Sequence, residues 1–428
     1  MTVIKTKKLL IACFTLSLIT GFSIWTINKY MSPNKKEGNK TIAMFLENEE
    51  GTYTASADRK FPTDGYVLNA EKSICRNGGT ISQNSTTKKI SLVTTKTDSC
   101  TLYFDKVVAP TSEQTLTKLG LTSNGVKDSF DEPATTDEGI FEMEDDYGTS
   151  YYYRGAVENN YVKFGKNKSG QDMYWRIIRI NGDGTLRIIY DGTSAHANGE
   201  DSPDRVAITN VAWNTTYYND NKYVGYMYGG ANGVASTSKE QAQTNETSSN
   251  IKIQLEAWYK ENIVDTGYSK AINDEVFCND RSFSSNNTGA GWGTSKTYYG
   301  AYGRLAAKNI QPSFKCPEKN DSFTEIDTSK GNGMLEYPVG LITADEIVAA
   351  GGKNGIIYNS YYLYKSSTYR YWTLSPHSYH EIFAVSNGLS YDAVNSKCAI
   401  APVINLSAEY ANILIGNGTM ESPYHAVE

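Results

Sequence analysis

The sequence predicts an α+β protein: an N-terminal transmembrane helix, a small all-β module, and one large domain mixing strands with two helices. Three observations carry this. Leu9–Ile27 holds no charge. Met173–Tyr190 alternates like a hairpin around Asn181-Gly182-Asp183-Gly184. Two helix starts, at Asn250 and at Thr343-Ala344-Asp345-Glu346, are set among many short strand signals and long loops.

The chain begins with a short cytoplasmic tail, residues 1–8, carrying Lys5, Lys7 and Lys8. Residues 9–28 then suit an uncleaved signal anchor. The apolar run is about as long as a bilayer core requires, and Ser23-Ile24-Trp25-Thr26-Ile27 makes a poor cleavage site. Leu10-Ile11-Ala12-Cys13 resembles a lipoprotein box only superficially, because almost nothing apolar precedes Cys13. A prepilin start fails at Leu18, where a glutamate would be required. The expected location is the cell membrane, single-pass, with the C-terminal part outside.

Residues 29–50 are polar and lysine-rich and read as a stalk, and residues 51–108 as the small β module. Turn signals at Asp64-Gly65 and Asn77-Gly78-Gly79 separate short strands there, such as Lys89–Val93 and Cys100–Phe104. Residues 109–139 become acidic and polar and read as a linker with room for one short helix. Residues 140–428 form the large domain. Within it, 191–247 is rich in Gly, Asn, Ser and Thr, with Tyr217, Tyr218, Tyr223, Tyr226 and Tyr228 interspersed, and is expected to be a long exposed loop region. Asn250 is placed to cap a helix with Ile251, Leu255, Trp258 and Tyr259 on one face. Gly351-Gly352 should stop the helix begun at Thr343.

Composition narrows the function. The net charge is −6, with no basic block beyond the N-terminus, so no nucleic-acid partner is expected. Thirty-two tyrosines against four histidines fit a strand-rich protein with many half-buried rings. Of six cysteines, no pair has C-x-x-C spacing and none clusters with histidine, which argues against a structural metal. Sequence alone does not fix the pairing, but proximity favours Cys75 with Cys100 and Cys278 with Cys316, leaving Cys398 buried and free. Such bridges imply an oxidising, extracellular setting.

Catalytic signatures are missing. There is no G-x-S-x-G elbow, no H-E-x-x-H and no phosphate loop. His377 and His380 beside Glu381 amount to half a metal site without further ligands. No enzyme activity, cofactor or metal is assigned. The richest stretch is Ile356–Pro402, where tyrosines alternate with Ser and Asn as they do in binding surfaces. Tyr371–Pro376 and Ala399–Leu406 read as scaffold. The recognition face is expected on Tyr358–Tyr369 and on a loop from His377 to Asn395, with Tyr362, Tyr364, Tyr369, Ser378, Tyr379, His380, Glu381 and Tyr391 as ligand-binding residues.

The ordered motifs YWRIIRINGDGTLRIIYDG, AWY, YPVGLITADEIVAAGG, YWTLSP, APVINLS and GNGTMESPYHAV give the chain a resemblance. Over residues 139–428 it resembles Firmicutes-type surface proteins with a C-type-lectin-like domain, in the group that includes formylglycine-generating-enzyme relatives. The scaffold is also similar to that of retroelement variable proteins. The segment DGYVLNAEKSIC…CTLYFDK is similar to a module that often precedes such domains. The resemblance implies a small twisted sheet and two helices supporting an irregular loop region that makes the ligand face. The chain departs from the calcium-dependent sugar binders, because the Glu-Pro-Asn and Gln-Pro-Asn signatures are missing. It departs from the formylglycine-generating enzymes in having only Cys398 where they carry a cysteine pair. The expected function is a membrane-anchored extracellular binding or adhesion protein for a protein or glycan ligand. The rival is a structural or assembly subunit of the cell envelope.

Overall fold

In the computed structural model, the described residues are 24–26, 41–48, 50–58, 60–62, 65–84, 89–93, 97–215, 219–306, 310–356 and 359–427. The expected membrane helix, residues 9–28, lies outside them apart from Ile24–Thr26, which forms a short strand against Thr41–Ala43. Cys13, Tyr217, Tyr218 and Tyr358 also lie outside. Among the described residues, no helix is long and apolar enough to cross a membrane. The chain divides into two units, the first ending at Ala109 and the second running from Pro110 to Val427. Each is mixed or all-β, and strands predominate in both.

In the first unit, Thr41–Glu47 runs parallel to Ser99–Lys106, and Tyr66–Cys75 lies antiparallel on the other side of that strand. The stalk expected over residues 29–50 is therefore corrected at its end. Thr41–Glu47 alternates buried and half-buried residues, with Ile42 and Met44 inward. Period-two burial of that kind makes a strand rather than a solvated spacer. Ile42, Met44, Leu68, Leu102 and Phe104 form a small core. Cys75 and Cys100 face each other in register and are bonded, with Cα atoms 4.1 Å apart.

The second unit is built on two sheets. The seven-stranded sheet runs in the order Val403–Leu406, Leu186–Gly192, Asp172–Ile180, Thr149–Gly155, Asp137–Glu144 and Ser123–Val126, with Tyr161–Lys166 also paired to Asp172–Ile180. The five-stranded sheet runs Ile208–Ala212, Lys397–Ile400, Tyr371–Ser378, Glu381–Val385 and Leu389–Ala393. Residues 109–139 are not a linker. Ser112–Lys118 is a helix opened by a Thr111–Gln114 capping box, and Ser123–Val126 joins the edge of the large sheet. Their apolar positions Leu116 and Leu119 are spent in the core of this unit.

Trp175, Trp213 and Trp372 are fully buried, and each indole N–H donates to a carbonyl: Phe164, Gly225 and Val211 respectively. The hairpin of Asp172–Ile180 and Leu186–Gly192 turns at Asn181–Gly184, where Asp183 accepts from the Thr185 amide and hydroxyl. The helix Asn250–Tyr259 is capped by Ser249, one residue before the expected cap, with its hydroxyl accepting from the Lys252 amide. The helix Ala344–Ala349 has the expected capping box between Thr343 and Glu346.

Residues 191–247 are not an exposed loop. They include the strand Ile208–Ala212 and short helical turns, and Tyr223, Tyr226 and Tyr228 are buried. Glycine in this stretch serves close packing: a Cβ on Gly229 would meet the Gln241 carbonyl oxygen at 1.7 Å. The second bridge joins Cys278 to Cys316, and Cys398 is free and buried. Two disulfides of this kind belong to a protein that folds in an oxidising compartment.

Candidate functional site: an aromatic patch locked by a histidine–glutamate pair

The segment from His377 to Asn395 is a strand meander, not a loop. Tyr371–Ser378 pairs with Glu381–Val385, which pairs with Leu389–Ala393. Ile382, Phe383, Ala384 and Val385 supply a fully buried strand, and Ser386-Asn387-Gly388 the turn after it. A continuous apolar run bounded by turn residues is the pattern of a strand buried on both faces. Ser378 faces Glu381 across the first hairpin, so Tyr379 and His380 form its two-residue tip. Their rings lie 4.0 Å apart, and both are half-buried.

Behind the tip sits His377. Its Nδ1 lies 3.1 Å from Glu381 Oε2, and the same oxygen accepts from the Ser378 hydroxyl at 2.5 Å. The hydrogen bond from His377, helped by that from Ser378, holds the Glu381 carboxyl below its ordinary range although burial opposes the shift. Burial also holds the His380 imidazole below its usual value. A charge-assisted hydrogen bond of this type fixes the imidazole plane. The Tyr391 ring then stacks on it at 4.0 Å and 11°. Phe383 and Tyr302 meet the same imidazole edge-on at 4.9 and 5.0 Å.

Tyr298 extends the patch. It stacks on Tyr302 at 4.4 Å and reaches this place because Tyr298 bridges to Ser378 while the Tyr299 amide donates to the His377 carbonyl. Tyr391 keeps 45% of its surface exposed and Tyr298 keeps 38%. The result is a partly exposed ring surface whose orientation is fixed by its own packing.

The expected ligand-binding residues therefore separate. Tyr379, His380, Glu381 and Tyr391 come together here. Ser378 belongs to the lock and is buried. Tyr362 and Tyr364 are buried core residues and do not form a recognition face, and Tyr369 is half-buried against the same core. The reason lies in a charged cluster that the segment covers. Lys365 donates to Tyr190 O and Asp191, Ser366 donates to Asp201, and the Arg176 guanidinium lies over the Tyr362 and Tyr161 rings. Rings and short hydroxyls are what such a lid needs. Tyr298 and Tyr302 are not legible in the sequence, because long-range pairing with Ser378 and His377 is what brings them to the meander.

Among the described residues, one group of three metal-type ligands occurs: Cys75, Asp98 and Cys100. Its two thiols are consumed by the disulfide, and Asp98 accepts from the amides of Asn77, Gly79 and Ser99. A cavity of about 30 Å³ lies among Arg179, Arg187, Glu346, Asp280, Arg304 and Asp345. It is closed by its own ion pairs, Arg304 with Asp280 and Asp345, and Glu346 with Arg179 and Arg187. Compared with protein families, curated proteins and solved structures, the chain matches none.

Proposed function

We propose that this chain is a membrane-anchored extracellular binding protein that recognises a protein or glycan ligand through the patch formed by Tyr298, Tyr302, Tyr379, His380 and Tyr391. The observation that carries the reading is the exposed Tyr391 ring stacked on an imidazole that Glu381 holds in place. Tyrosines with one face packed and one face open are the usual anchors of binding surfaces. Support for the anchor is the charge-free Leu9–Ile27 preceded by Lys5, Lys7 and Lys8, and support for the outward orientation is the pair of disulfides. The large domain is read as C-type-lectin-like on its sequence motifs and on its mixture of short strands and few helices. The reading assigns it no reaction.

The test is binding of the full chain, displayed through its own N-terminus, to arrays of glycans and of extracellular proteins. At least one ligand is expected, with Tyr391→Ala and Tyr298→Ala each weakening it about tenfold, or ~1.4 kcal/mol. Both variants should melt within a few degrees of the parent, because these rings are exposed. A large fall in melting temperature would mark the rings as core and sink the assignment. Absence of any ligand, together with self-association that the same substitutions abolish, would favour the envelope-subunit reading.

A further inference from the structure

A second opening lies elsewhere in the Pro110–Val427 unit and shares no residue with the tyrosine patch. It is a cleft of about 380 Å³ lined by the helix Asn250–Tyr259, the turn Asn167–Gly170 and the strand end at Ala207–Ile208. That volume falls in the range of small-molecule sites, roughly 300–1,000 Å³. The helix does not stop at Tyr259. It continues as a π-helical turn over Lys260–Val264, a widened geometry that recurs at functional positions and needs a local reason to persist.

Asn262 supplies the reason. Its side chain is buried, donates to the Trp258 carbonyl at 2.8 Å, and accepts the Lys168 amide at 3.0 Å. Thr266 donates to the Asn262 carbonyl at 2.6 Å, satisfying an acceptor that the wide turn opens. One buried amide thus ties the helical wall to the Asn167–Gly170 wall and fixes the width of the cleft between them.

Trp258 gives this cleft an aromatic face. The indole is half-buried and held edge-to-face by Trp175 at 6.2 Å and Tyr190 at 5.8 Å, so its orientation is set. Around it the lining is polar. Gln254 is exposed and its side-chain amide has no hydrogen-bond partner among the described residues, and the Ser169 hydroxyl is likewise open. Lys168 and Glu261 pair with each other at 2.8 Å, which leaves the rim with charged groups but no net charge.

We propose that this cleft binds a short neutral saccharide. A pyranose ring presents a C–H face that suits one fixed indole, and hydroxyl edges that suit an open amide, a hydroxyl and a self-neutralised ion pair. A charged ligand would find no unpaired opposite charge at the rim, and an apolar one would desolvate the open Gln254 and Ser169 groups without partners.

Saturation-transfer NMR on the full chain with cellobiose, maltose, lactose and chitobiose at millimolar concentration tests the proposal. At least one of the four should receive saturation. Gln254→Ala and Trp258→Ala should each reduce that signal at least fivefold, and Tyr391→Ala should leave it unchanged. Gln254 is exposed, so its variant should melt like the parent and guards against a folding artefact in Trp258→Ala. No transfer to any of the four sugars, or transfer that survives both cleft substitutions, overturns the inference.

Discussion

Lys365 is fully buried with its ammonium on Asp191 and on the Tyr190 carbonyl, and Arg205 and Arg176 crowd the same carboxylate. Burial pulls the lysine down to about 8, against an ordinary value of 10.5, with Asp191 only partly offsetting it. The folded-state value is the lower one, so this group's contribution is present above the unfolded value and lost as pH falls through about 8. Stability should therefore rise between pH 8 and 10, by an amount approaching roughly 3 kcal/mol for so large a shift. Buried tyrosines such as Tyr153, Tyr226 and Tyr371, held well above their ordinary value by burial, reverse the trend at still higher pH. Urea denaturation of the parent and of Lys365→Met across this window checks it: the rise should vanish in the variant. Sequence composition identified the tyrosine-rich stretch around this lysine as unusual but not which way its rings face. Ring area and hydroxyl chemistry are the same on a ligand face and over a buried ion cluster. What decides between them is the Asp191–Arg205 pair beneath, contributed by the strand Leu186–Gly192 and the helical turn Pro203–Arg205, both far in sequence from Lys365.

Elements with a strong local signal were legible in advance. The Asn-Gly-Asp-Gly hairpin and the Thr343 capping box are specified by neighbours within a few residues. The Glu381–Val385 and Leu389–Ala393 strands were not, because polar Tyr379, His380 and Ser386–Asn387 interrupt the apolar pattern at each turn. The strand Thr41–Glu47 was missed for a different reason, since its parallel partner lies far downstream. The capped helix Ala344–Ala349 is short enough for its cap to matter. Thr343 Oγ accepts from the Glu346 amide at 3.1 Å, and the Glu346 carboxylate returns a bond to the Thr343 amide at 2.9 Å. Burial alone would raise that carboxyl, but Arg187 and Arg179 hold it below the ordinary range and keep it a charged acceptor. Thr343→Ala should cost ~1–2 kcal/mol in urea denaturation, with no change in binding at the Tyr391 patch.

At the scale of the molecule, each unit has its own core, and only the first depends on a handful of buried side chains plus one bridge. Closing the loop between Cys75 and Cys100 stabilises such a small unit by ~3 kcal/mol in the loop-entropy account. Five of the six tryptophans belong to the second unit and only Trp25 to the first, so tryptophan fluorescence mainly follows the second unit while far-ultraviolet dichroism follows both. Heating should give two transitions, with the one weak in fluorescence falling by several degrees or more in the Cys75→Ala, Cys100→Ala double variant. A single coincident transition by both probes would show that the units do not melt separately. The large sheet adds a constraint on synthesis. One of its edge strands, Val403–Leu406, is made long after Leu186–Ile189, the segment it covers. A nascent chain must hold that hydrogen-bonding edge unpaired until Val403–Leu406 has emerged. Proteins of this design depend on fast completion, or on a holding partner, to avoid joining edge to edge with their neighbours.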